Sequence, residues 1–117
     1  MHNFKELKVW KAGIKICKTI FELTRNFPPE EKYSLISQMT RSVVSIPSNI
    51  AEGCGRKSNK ELYQFLNIAL GSAFELETQI IIAKEFNYLT TDKSEAVCEL
   101  IIEIKKMIGG LQKSLVN

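Results

Sequence analysis

Lys8, Lys11, Lys15 and Lys18 recur at steps of three, four and three residues, a spacing that lines up four ammonium groups along one side of a helix. A second set of cations, Arg41, Arg56, Lys57 and Lys60, is opposed only by Glu52 between residues 41 and 60. Repeated cations of this kind hold phosphates and release their counterions. They also serve as a plain solvated face with aliphatic stems covering apolar surface, and both readings stay open here. Other residues that could do chemistry fall short by spacing. Gly53-x-Gly55-x-Lys57-Ser58 lacks both the earlier glycine and the preceding strand of a phosphate loop, so it reads as a helix stop followed by a helix start. A carboxylate-bridged metal pair in a helical bundle needs Glu-x-x-His, and the one histidine is His2. Glu75 and Glu77 lie about 160° apart on a helix and cannot act as neighbouring acid and base, and Ser42, Ser45 and Ser48 have no histidine near them in sequence. Asn49 and Glu52, three apart, are expected to pair structurally with each other. No catalytic residue, no cofactor and no metal site is expected.

Three cysteines, Cys17, Cys54 and Cys98, are far apart with no Cys-x-x-Cys pair, which argues against both a disulfide framework and zinc. Hydrophobic residues at 44% and charged residues at 25% exclude a disordered or fibrous chain, while a net charge of +3 says little about partners by itself. No apolar run reaches the roughly 20 residues of a membrane span, and Met1 to Lys15 alternates lysines with apolar residues, so the expectation is a cytoplasmic protein with no membrane role.

The elements that must carry these residues are helices, joined as one domain over residues 1–117. Leu7, Trp10, Ile14, Cys17 and Phe21 predict the core stripe of a first helix from about Phe4 to Asn26, widened by Val9, Ile16, Ile20, Leu23 and Phe27 into a second buried face. Pro29 and the acids after it predict the start of a second helix. There Ile36, Met39, Val43, Ile46 and Ile50 keep one phase across Pro47, predicting a kinked helix rather than a loop, with the freed carbonyl of Val43 satisfied by Ser42, Ser45, Ser48 or water. Gly53-Cys54-Gly55 is expected to end it through a left-handed glycine. Ser58-x-x-Glu61 is the capping box of a third helix, with one seam through Phe65, Ala69, Ala73, Leu76, Ile80 and Ala83 and another through Tyr63, Leu70, Phe74 and Ile81. Asp92-x-x-Glu95 predicts the cap of a fourth helix carrying Val97, Ile101, Ile104, Ile108, Leu111 and Leu115, fraying beyond Gly109-Gly110. Short connections then give an all-α, antiparallel up-down-up-down four-helix bundle, with helix 2 kinked at Pro47.

The string Gln38-x-x-Arg41-Ser42-x-x-Ser45-Ile46-Pro47-x-Asn49-Ile50-Ala51-Glu52-Gly53, with Leu7-x-Val9-Trp10-Lys11-Ala12, Phe27-Pro28-x-x-Glu31, Gly55-Arg56 and Phe65-Leu66-x-Ile68-Ala69-x-Gly71-Ser72-x-x-Glu75-Leu76-Glu77-Thr78, resembles the four-helix-bundle proteins encoded by intervening sequences of 23S ribosomal RNA genes. The resemblance spans nearly the whole chain. It implies a homopentameric ring, and a relationship to the basic, nucleic-acid-binding accessory protein of diversity-generating retroelements. Ring symmetry would multiply each cationic cluster fivefold, and the extra apolar seams on helices 1 and 3 agree with burial against further copies. Binding of RNA or DNA therefore ranks first among specific activities, and a protein–protein scaffold with no nucleic-acid role is the rival.

Overall fold

The computed structural model describes residues 3–116. It has four helices, α1 (Lys8–Thr24), α2 (Leu35–Cys54), α3 (Asn59–Glu85) and α4 (Thr91–Leu115), preceded by single 3-10 turns at Phe4–Glu6 and Pro29–Glu31, with no strand among the described residues. Short connections reverse the chain each time. α1 packs on α2, α2 on α3, α3 on α4 and α4 back on α1, closing a bundle 45 × 24 × 20 Å. α2 and α3 share the most extensive interface, and α1 and α4 the least.

Of the two buried faces expected on α1, the one through Val9, Ile16 and Ile20 is buried and the other is largely not. Val9, Gly13, Ile16 and Ile20 are buried, whereas Ile14 and Phe21 are 46% and 45% exposed, and Trp10 and Cys17 sit half-buried at the α2 edge. Both stripes obey helical spacing, so the phase is decided by the neighbour. Gly13 lets α2 approach until an added Cβ would lie 3.1 Å from Pro47 Cβ, which turns the Gly13 side inward. The helix also starts later than expected, because Leu7 is extended (φ −73°, ψ 129°) between the first turn and α1.

α2 begins at Leu35 rather than near Pro29. The chain between them is held as a turn by Glu31, whose carboxylate accepts from Ser34 Oγ at 2.6 Å and from the Tyr88 hydroxyl at 3.0 Å. α2 then runs unbroken through buried Pro47 to Cys54. The carbonyl four residues before the proline, Val43 O, accepts from Cys17 Sγ at 3.3 Å, so a thiol of α1, and not one of the neighbouring serines, occupies that position. Gly55 closes α2 at φ −81°, and no glycine has a positive φ, so the expected left-handed stop is absent. Gly53 matters for another reason: an added Cβ would stand 2.8 Å from both Leu62 Cδ1 and Phe65 Cβ. The residue permits close approach of α3, not a turn.

Ser58 Oγ caps α3 by accepting from Glu61 N at 3.1 Å, but the Glu61 carboxylate faces the Ser58 hydroxyl instead of returning to a backbone amide. The first seam of α3 is buried from Leu62 to Ala83, with Phe65 half-buried at its edge. By length and composition α3 is apolar enough to cross a membrane, which corrects the expectation that no segment is; here its seam faces the other helices. Asn87 at φ 63° turns the chain after α3. Thr90, not Asp92, caps α4 by accepting from Lys93 N. Val97, Ile101, Ile104 and Ile108 form its buried face as expected, and the helix continues past Gly109-Gly110 to Leu115.

Candidate nucleic-acid interface

Lys8, Lys11, Lys15 and Lys18 are all exposed on α1, on the side turned toward solvent between Ile14 and the α4 edge. The four positions rise about 15 Å along the helix, a span over which one strand of a duplex presents phosphates every ~3.4 Å. The two ion pairs found among the described residues are Glu52–Arg56 and Glu77–Lys105, so no carboxylate reaches this line. Lys15 borders a shallow groove of about 140 Å³ with Ala12, Leu100 and Glu103.

The second cationic set does not form one cluster. Arg41 lies within α2 and Arg56 just past its end; the thirteen residues from Arg41 to Cys54 alone rise about 20 Å at 1.5 Å per residue. Arg56 is also committed: its Nη2 pairs with Glu52 at 2.9 Å and its guanidinium lies 4.7 Å from the Phe65 ring centre. Lys57 and Lys60 are exposed at the α2–α3 turn without an acidic partner among the described residues. Beside them the turn encloses a cavity of about 70 Å³ lined by Arg56, Lys57 and Ser58, too small for a nucleotide.

Arg41 borders a different feature, an open groove of about 330 Å³ between α2 and α3 with Gln38, Ser42, Ser45, Ser72 and Glu75. Its floor is internally bonded. Ser42 Oγ donates to Glu75 at 3.0 Å, Ser72 Oγ to Ser45 Oγ at 2.8 Å, and Asn49 Nδ2 to both the carbonyl and the hydroxyl of Ser45. Asn49 therefore does not pair with Glu52, because Ser45 lies one turn behind it and Glu52 turns to Arg56. Gln79, one turn beyond Glu75, is buried with its Oε1 unpartnered.

The three cysteines are free thiols. Burial pushes the Cys17 thiol up to about 11 and raises Cys54 and Cys98 as well. Among the described residues no three His, Cys, Asp or Glu side chains stand close enough to hold a metal, and His2 lies outside the described residues.

Two features had weak sequence signals. Apolar side chains are exposed on opposite sides of the bundle: Ile14, Phe21 and Val44 by phase on the α1–α2 side, and Phe74, Ile81 and Ile102 on the α3–α4 side, where Lys105 Nζ lies 4.3 Å from the Phe74 ring centre. The second seam expected on helix 3 contains two of these six residues, Phe74 and Ile81, while Ile14 and Phe21 come from the stripe expected to be the core of helix 1. A groove beside the first turns of α3 was hidden altogether, since Gln64 and Asn67 look like any solvated helix positions. Its one legible sign is Gln112, a buried amide in the apolar phase of α4.

A family model described as 23S rRNA-intervening sequence protein matches residues 5–110. Among solved structures, a protein of the S23 ribosomal protein family from Bacteroides thetaiotaomicron, described as having unknown function, is 27% identical and superposes with a TM-score of 0.83, over 90% of this chain and 98% of that one. No curated protein matches the chain.

Proposed function

Because the chain belongs to the 23S rRNA-intervening sequence protein family, we propose that it acts as a non-catalytic, self-assembling helical bundle that binds the phosphate backbone of RNA or DNA. The observation that carries this reading is the α1 line of four exposed lysines with no acidic partner among the described residues. Side chains held by a carboxylate give up little energy to a phosphate, which lowers Arg56 in the ranking. Lys57 and Lys60 remain a second contact, and Arg41 a separate and weaker one. No base readout is needed for such contacts, so affinity spreads over many sequences.

Assembly supports the same reading. Apolar patches on opposite sides of the bundle are not self-complementary about a twofold axis, and suit head-to-tail contact in which the α1–α2 side of one copy meets the α3–α4 side of the next. A head-to-tail contact closes into a ring when its rotation divides a full turn, and the pentamer implied by the family resemblance is such a ring. The α1 lysines lie outside the apolar patch and would stay exposed on one wall of that ring.

The test combines mass and binding. Light scattering at low micromolar concentration is expected to give a multiple of 13.3 kDa, and the variant Lys8→Ala/Lys11→Ala/Lys15→Ala/Lys18→Ala is expected to keep that mass while losing affinity for RNA and DNA alike. A stable monomer sinks the assembly; unchanged affinity of the assembled variant sinks the α1 surface. A parent protein that binds no nucleic acid at low salt leaves the scaffold reading in its place.

A further inference from the structure

Beside the α2–α3 turn, the opening turns of α3 and the last turn of α4 enclose a groove of about 450 Å³, within the size range of small-molecule sites. Its lining mixes three chemistries: the Tyr63 ring with apolar Leu115 and Val116, the side-chain amides of Gln64 and Asn67, and the ammonium of Lys60. The amide of Asn67 is fixed. Its Oδ1 accepts from Gln112 Nε2 at 2.7 Å, and that same Nε2 donates to the Tyr63 carbonyl at 3.3 Å. Gln112, only 7% exposed, thus ties Asn67 and the backbone of Tyr63 together and leaves Asn67 Nδ2 as the free end of the amide. One oriented donor, one unbonded amide, an aromatic ring and two aliphatic side chains match a flat heterocycle with polar edges. An alkyl chain would strand the amides, and a compact anion would leave the apolar wall unused.

The cations fix which heterocycle. Lys60 is part of the groove and Lys57 precedes it by three residues, both exposed and without acidic partners among the described residues. On the α3–α4 side the exposed apolar patch begins at Phe74, seven residues or about 10 Å beyond Asn67, so a neighbouring copy centred on that patch leaves the groove open. We propose that this groove receives one unstacked nucleobase of a single-stranded segment, with Lys60 and Lys57 on the adjoining phosphates. The proposal rests on the nucleic-acid reading above and sharpens it: the α1 line meets any phosphate backbone, whereas this groove requires a base that has left its stack.

Two measurements on the full-length assembled protein separate the two. The first compares a labelled twelve-nucleotide single strand with the matching duplex by anisotropy, for the parent and for Gln64→Ala/Asn67→Ala. The parent is expected to prefer the single strand, and the variant to lose about tenfold on the single strand with no change on the duplex, the scale of one base contact. The second irradiates the parent with a twelve-nucleotide strand carrying 4-thiouridine and locates the crosslink by mass spectrometry, with Tyr63 expected. Equal affinity for both forms with an unaffected variant, or crosslinks confined to α1, would overturn the groove while leaving backbone binding intact. A variant that loses both forms equally also overturns it. Absence of any binding by the parent removes both readings at once.

Discussion

Replacing Gly53 by alanine should destabilise the bundle even though alanine is the better helix former. In a helix interior the exchange gains about 1 kcal/mol from propensity. At this position, however, the new methyl would stand 2.8 Å from Leu62 Cδ1 and from Phe65 Cβ, and 3.4 Å from the Leu62 carbonyl oxygen. The leucine methyl is the end of a flexible side chain and can turn aside. Phe65 Cβ is tied to the α3 backbone, so α3 must move away from α2 across the widest interface in the molecule. Overpacking of a filled core costs about 1–3 kcal/mol; taking the upper part of that range, the net loss is about 1–2 kcal/mol. With an unfolding entropy of about 2.1 cal/mol/K per residue over 117 residues, Tm should fall by about 4–8 °C. Thermal melts followed by circular dichroism at matched protein concentration measure it. A Gly53→Ala protein as stable as the parent would mean that the α2–α3 approach is looser than drawn here, and would remove the role given to Gly53.

Gly109→Ala and Gly110→Ala provide the contrast, since an added methyl meets nothing within 4 Å at either site; each should raise stability by up to about 1 kcal/mol, and a fall in Tm would refute the continuous α4. Cys17, with its thiol near 11, should react with iodoacetamide at pH 8 more than about a hundredfold slower than an unhindered cysteine, speeding up only as pH approaches that value. Rapid labelling of Cys17 in the native protein would contradict its contact with Val43. Hydrogen bonds from Ser34, and then Tyr88, hold the Glu31 carboxyl below its usual 4.5, so its stabilisation is present above the unfolded value and is lost as pH falls through the folded one. Tyr88→Phe should therefore lower Tm at pH 7, and the gap to the parent should narrow in acid below 4.5; a gap independent of pH would show that packing alone is at stake.

What the sequence disclosed and what it hid divide along physical lines. Unbroken apolar phase across Pro47 sufficed to foresee a single α2, and the Val97 to Ile108 spacing gave the α4 core, because one face of each helix is clearly more apolar than the rest. α1 offered two apolar stripes, and only the close approach of Pro47 to Gly13 selects between them. Glycine types announced that something unusual occurs at residues 53 and 55, but contact distance and backbone reversal leave the same mark in a sequence. The lysine line of α1 was fully legible from spacing. The capture of Arg56 by Glu52 had an i,i+4 signal that went unread, while its stacking on Phe65 and the tethering of Asn67 by Gln112 depend on partners nine and forty-five residues away.

Backbone recognition by exposed lysines is tested most directly by the salt dependence of binding. Affinity of the assembled protein for a single-stranded RNA is measured from about 50 to 200 mM monovalent salt and plotted as log Kobs against log salt, for the parent and the four-lysine α1 variant. Each phosphate contact in a single strand adds about 0.7 to the slope. A linear fall is expected for the parent, with a slope shallower in the variant by up to about 2.8 if all four lysines engage. Parallel slopes for the two proteins, or an affinity indifferent to salt, would contradict it.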